Sequence, residues 1–313
     1  LGSAKRVRIR VALIRLARKH TMGLSKLAQA HEKLGKYVTI ENGTKVFVRD
    51  EAPEDVADPE VVVMVHGVPS SSFLYRKMFA PLVAKGLRAV AFDFPGLGLS
   101  GKTPGLDFTW GGLKEAMRQT LEALGIERMH LVIHDIGGPI AAWYAVENKD
   151  KVASITILDT LLRVHGFKKP FPMWTFEWWG LRRMTLATFK PSILKLMFGQ
   201  LGVRNSKDFT YDVAAAWTSL LAHDGGHESF LKIMAGFELT QELEDKIKDG
   251  LQEGIALQVV WADGERSIPA SQLRFIEKNF PLKASSKVRG RHFLQEDSPE
   301  EISEKVHTLI SSL

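Results

Sequence analysis

The chain reads as an α/β protein, with a mostly parallel eight-stranded sheet and a helical block inserted after the sixth strand. Three observations predict this. Short apolar runs alternate with stretches of helical periodicity. Several runs are apolar at almost every position, as in EVVVMVH (60–66), which suits strands buried on both faces. The alternation breaks between 160 and 240, where the chain is helical and aromatic-rich, with Trp174, Trp178, Trp179 and Trp217, and resumes at ALQVVWA (256–262).

In chain order, a basic segment comes first. Residues 1–36 carry ten Lys/Arg against one acid, Glu32, so the segment is +9 and the rest of a +6 chain is −3. Leu24, Leu27, His31 and Leu34 share a helical face. The segment is expected to be a helical extension, either packed or solvated, a peripheral membrane contact, or the remnant of an organellar transit peptide. Next, KYVTIENGTKVFVRD predicts two strands joined at Asn42-Gly43, a strong hairpin signal. EVVVMVH is the third strand, followed by a helix over 73–84. LRAVAFD (87–93) is the fourth strand, and 108–125 is a helix closed by Gly125. MHLVIH is a strand leading into a helix at 137–147, and VASITILD (152–159) is the sixth strand. After the block come ALQVVWA, a helix near 270–279, a strand at 285–290 and a final helix after Pro299. The expected division is an extension at 1–36, a core at 37–159 and 241–313, and a helical cap at 160–240 over the carboxyl ends of the strands.

The composition excludes several function classes. With no cysteine, disulfides, thiolate catalysis and thiolate metal sites are ruled out, and a reducing, intracellular compartment is favoured. No run of eighteen apolar residues suggests a membrane span. The body is not basic, so no nucleic-acid partner is expected of it. Organellar or peripheral membrane placement rests on the basic segment alone, and nothing bears on the oligomeric state.

The informative stretch is HLVIHDIGGPIAAWYA (130–145), a strand passing through a sharp turn into a helix with Asp135 at the tip. Alone, Asp135 could be a turn residue or a helix cap. Three companions argue for a reactive role. They are HGVP (66–69) after the third strand, DFPGLGLSGK (93–102) after the fourth, and GRHFLQEDSPEEI (290–302), which places His292 just after the last strand.

Together these segments resemble the haloalkane dehalogenase and epoxide hydrolase branch of the α/β-hydrolase superfamily, over about residues 37–313. The turn corresponds to the nucleophile elbow of that fold, although the Gly-x-Nuc-x-Gly frame keeps only its second glycine, Gly137. A serine there would need a base to attack, whereas a carboxylate with a pKa near 4 is already ionised at neutral pH. The resemblance therefore implies that Asp135 attacks an sp³ carbon and forms an alkyl-enzyme ester. His292 then activates the water that hydrolyses it, with the backbone amides of Val68 and Ile136 as the oxyanion hole. The implied reaction needs no cofactor and no metal, only a small or medium apolar organic substrate and water.

The acid that orients His292 lies, in this family, after the seventh or the sixth strand. Glu265 occupies the first position and Asp159 the second, with Asp263 a further candidate. Phe73, Trp174, Trp178 and Trp179 are expected to line the substrate pocket. Dehalogenases commonly grip the halide through an Asn and a Trp at positions that here hold Val68 and Ile136. Epoxide hydrolases use two cap tyrosines, and only Tyr211 falls within 160–240. Three functional readings follow: a dehalogenase-like hydrolase, with epoxide or ester hydrolysis as its variants; a luciferase-like oxygenase on the same fold; and a catalytically silent binding protein.

Overall fold

The computed structural model describes residues 23–169, 173–177, 186 and 189–313. Its single eight-stranded sheet comprises β1 (Gly35–Thr39), β2 (Lys45–Glu51), β3 (Val61–Val65), β4 (Arg88–Phe92), β5 (Met129–Asp135), β6 (Val152–Thr160), β7 (Ala256–Ala262) and β8 (Leu282–Val288), in the order β1-β2-β4-β3-β5-β6-β7-β8. The pairs β1–β2 and β2–β4 are antiparallel and the others parallel. This is the predicted α/β-hydrolase architecture. The apolar run of β3 is buried on both faces: Val63 and Val65 join one core cluster, while Val62 and Met64 join the cluster on the opposite side. Such two-sided burial is what a helix-covered parallel sheet requires.

Several elements fall where the sequence places them. Gly43 turns the first hairpin with φ 80°. The helix Trp110–Ala123 is capped by Thr109, whose side chain accepts from the amide of Gly112. Two expectations shift. The continuous helix expected over 73–84 is instead a 3₁₀ turn, Ser72–Tyr75, followed by a short α-helix, Phe79–Val83. Pro81 accounts for the break: it has no amide hydrogen for the carbonyl of Lys77, so it is tolerated only in the first turn of a new helix. The last strand covers 282–288 rather than 285–290 and ends before Gly290.

The helix Lys26–Lys33, in the described part of the N-terminal segment, packs on the core. Ala28 and His31 are buried. The His31 ring sits 5.3 Å from both Phe47 and Phe73, and its Nε2 lies 3.0 Å from Ser72 Oγ. Burial, with Arg49 and Arg76 nearby, pushes the His31 pKa down to about 3, so it docks as a neutral ring. At the other end, the Ser25 amide donates to Ser219 Oγ in the helix Tyr211–Ala222. This helix and its neighbours Pro191–Leu201 and Gly226–Ala235 are α-helices of the block at 160–240. Among the described residues, no helix is long and apolar enough to cross a membrane.

Candidate active site

β5 delivers Asp135 at its carboxyl end with φ 52°, in the left-handed region. An L-residue there is strained and persists only when its surroundings hold it. Two glycines create the necessary room. A Cβ on Gly67 would overlap the Asp135 carboxylate, and one on Gly137 would run into the backbone of His66. Asp135 Oδ1 accepts from the Val68 amide at 2.7 Å, and the Ile136 amide also hydrogen-bonds the carboxylate. Behind it, the Thr160 hydroxyl donates to the carbonyl of Asp135 at 2.5 Å.

The loop carrying Val68 is itself fixed. His66 Nε2 accepts from the Phe94 amide at 3.0 Å, so its Nδ1 carries the hydrogen and donates to Gly67 O at 2.8 Å. Asp93 accepts from the amides of Ser72 and Leu99 at 2.6 and 2.7 Å, which ties DFPGLGLS to the same wall.

His292 Nε2 lies 3.4 Å from Asp135 Oδ2, and its Nδ1 lies 3.0 Å from Glu265 Oε2. Glu265 Oε1 in turn accepts from the amides of Ser267 and Ile268. All three side chains are nearly fully buried. Burial opposes ionisation of Glu265, but the charge of His292 and its hydrogen bond outweigh this and hold the pKa at about 2. Burial would likewise strip the proton from His292, yet Glu265 and Asp135 together push its pKa well above the usual imidazole range. Asp135 is held below the carboxylate range, against its burial, chiefly by its bond to His292. The resting site is therefore an imidazolium between two carboxylates.

Of the candidate acids, the geometry brings Glu265 to His292. Asp159 is completely buried and accepts from the Ala262 amide at 2.9 Å. One oxygen each of Asp159 and Glu265 and a nitrogen of His292 lie within 4.8 Å of one another. Burial first, and then the charge of Glu265, push the Asp159 pKa well above its ordinary value. The trio could be imagined as metal ligands, but both His292 nitrogens already face carboxylates in the ion-pair arrangement. Asp263 pairs instead with Arg204 at 3.0 Å, on the surface.

The histidine loop is braced on three sides. Arg76 and Lys77 both pair with the buried Glu296. The Phe293 amide donates to Gly202 O at 2.8 Å. His134 donates from Nε2 to the carbonyl of His292 at 2.7 Å, and burial lowers its pKa to about 4, leaving it neutral. Neither His134 nor Glu296 was singled out in the sequence, although each sits inside a quoted motif.

Asp135 and His292 form the polar floor of a cavity of about 250 Å³. Its walls include Leu161, Phe176, Phe198, Phe230, Phe237 and Phe293. Among the described residues the aromatic lining is of phenylalanine. Phe73 does not line it: its ring packs beneath Arg76 and beside His31. Trp174 is 38% exposed and is not among the lining residues either. Trp178 and Trp179 lie outside the described residues. Val68 and Ile136 do line the cavity and have no side-chain donor to offer. Tyr211 is exposed on the surface. Among the described lining residues, Arg266 and Ser267 are the polar side chains besides Asp135 and His292.

A strand-turn-helix elbow, a backbone amide pair and a His–acid pair at the carboxyl ends of this sheet define a class, and the chain belongs to it: the alpha/beta hydrolase fold family, whose model matches residues 60–299. Within that family the chain is similar to haloalkane dehalogenases. It is 36% identical over 133 residues to one from Psychrobacter cryohalolentis, covering 42% of this chain and 43% of that protein. It is 33% identical over 128 residues to one from Mycobacterium marinum, covering 40% and 42%. The matched stretches thus span about two-fifths of these relatives. Among solved structures, Cfl2 from Burkholderia cenocepacia superposes with a TM-score of 0.74 at 20% identity, over 88% of this chain and 94% of that one. The epoxide hydrolase CorEH superposes with a TM-score of 0.68 at 17% identity, over 89% and 98%. At these identities the superpositions speak to the fold.

Proposed function

We propose that the protein is a cofactor-independent hydrolase that displaces a leaving group from an sp³ carbon of a small or medium apolar substrate, in the manner of a haloalkane dehalogenase. The observation that carries this reading is the Asp135 carboxylate, hydrogen-bonded by the Val68 amide and facing His292, on the floor of an apolar cavity. In the first step Asp135 attacks carbon, the bond to the leaving group breaks with its electron pair, and an alkyl ester of Asp135 forms. Esterification removes one of the two charges that keep His292 protonated, so the imidazole can release its proton and act as base. It takes a proton from water as the water attacks the ester carbonyl, while the amides of Val68 and Ile136 hold the oxyanion. Collapse of the intermediate returns the carboxylate and releases the alcohol.

The test is His292→Gln. Displacement needs no base and ester hydrolysis does, so a true substrate should leave its alkyl mass on the peptide holding Asp135, seen by intact-mass spectrometry and peptide mapping. Turnover at the wild-type rate would remove His292 from the role of base. An inert His292→Gln with an ordinary ester as the only substrate would replace the displacement mechanism by direct His-activated hydrolysis. A second reading, a silent site in a binding protein, draws on the lack of side-chain donors at Val68 and Ile136. No turnover and no adduct across a panel of haloalkanes, epoxides and esters would favour it.

A further inference from the structure

The helix Pro191–Leu201 has two apolar faces. Leu194 and Phe198 point inward and are buried. Ile193, Leu196 and Met197 follow the i, i+3, i+4 spacing of a second stripe, with Met197 at its inner edge partly buried against the core. Ile193 is 40% exposed, Leu196 64% and Leu201 47%. A soluble surface helix ordinarily turns polar residues outward, and a clustered apolar patch marks an interaction site. Met197 and Leu201 also line the cavity above Asp135, so the exposed stripe and the cavity wall share one continuous apolar surface.

The chain on either side of the helix is basic, although Arg204 beyond its end is paired with Asp263. From Phe189 to Lys207 the sequence contains four Lys/Arg and no Asp or Glu. Lys190 and Lys195 are exposed and have no carboxylate partner among the described residues. An apolar stripe flanked by unpaired cations is the pattern of a helix lying in the headgroup region of an anionic bilayer. A second copy is a poorer occupant, because a two-fold contact would set this acid-free stretch against itself.

We propose that the helix Pro191–Leu201 seats the protein on anionic lipid surfaces, with Ile193 and Leu196 entering the interface and the cavity mouth opening toward the membrane. An apolar substrate dissolved in the bilayer then reaches Asp135 along Met197 and Leu201 without crossing water. This surface is distinct from the basic segment 1–36, and the seating holds whatever bond Asp135 attacks.

The test is co-sedimentation of the full chain with large vesicles of phosphatidylcholine containing phosphatidylglycerol, against phosphatidylcholine alone. Binding should require the anionic lipid and weaken with salt. Leu196→Asp, at an exposed position, should keep the wild-type circular dichroism and melting curve and lower partitioning by at least about tenfold, with Ile193→Asp behaving alike. Wild-type partitioning in both variants would assign binding to the basic segment and overturn the proposal. So would equal binding to both lipid compositions. A shift from dimer to monomer by light scattering in the variants would show instead that the stripe joins two copies, and would also overturn it.

Discussion

Replacing Glu265 by Gln keeps the shape of the site and removes one charge. The Glu265 pKa falls from 4.5 to about 2 through its contact with His292. At about 1.4 kcal/mol per pH unit, that is roughly 3 kcal/mol of net interaction, or about 10²-fold in a rate that depends on it. Breakdown of the alkyl-enzyme ester should therefore slow by about 10²-fold in Glu265→Gln, while ester formation changes little. The pH dependence carries a sign. Ester hydrolysis needs neutral His292, so its rate rises with pH through the His292 pKa of the alkyl-enzyme. Glu265 raises that pKa, and removing its charge moves the rise to lower pH. Single-turnover measurements across pH, following ester formation and decay separately, read both effects. A decay slowed less than about threefold, with its rise at the same pH, would refute the assignment of Glu265 as the group that orients His292.

Three further outcomes follow from the geometry. Asp159→Asn should leave neutral-pH turnover within about threefold of wild type, since burial and the Glu265 charge both disfavour its ionised form and His292 faces Glu265 instead; a loss as large as that of Glu265→Gln would make Asp159 the orienting carboxylate. Gly67→Ala puts a methyl against the Asp135 carboxylate, and turnover should fall by at least about 10²-fold in a still-folded protein, as judged by circular dichroism. Removing residues 1–34 takes away the buried Ala28 and His31 and should cost roughly 2–4 kcal/mol, read as an earlier midpoint in urea; an unchanged midpoint would mean the helix Lys26–Lys33 adds nothing to the core.

Much of this was legible in the sequence because its signals were local. The apolar run of β3 could suit only a strand covered on both sides, and the elbow, HGVP and HFLQED each hold their chemistry within a few residues. The orienting acid was not legible. Asp159 and Glu265 both sit at or beyond strand ends, and only the packing of His292 decides that its Nδ1 faces Glu265 while burial raises the pKa of Asp159. The N-terminal helix was legible as a helix with His31 on its face, but its docking side was not: Leu27 and Leu34 of that face are exposed. The buried residues are Ala28 and His31, and only the rings of Phe47 and Phe73 around the histidine show where the helix packs. The pocket walls were not legible either: among the described residues they are phenylalanines contributed by several separated segments, which no local motif brings together.

The helix Lys26–Lys33 belongs to neither half of the molecule alone. Through His31 it is set into the wall of the sheet layer at Ser72 and Phe47, and just ahead of it Ser25 is bonded to the block at Ser219. A segment shared in this way acts as a clasp. The block cannot peel from the sheet on that side without exposing the faces the helix covers, so melting of one layer brings on the other. Heat should then find a single calorimetric transition, and any breathing of the cavity would be a one-sided movement, largest along the edge farthest from the clasp.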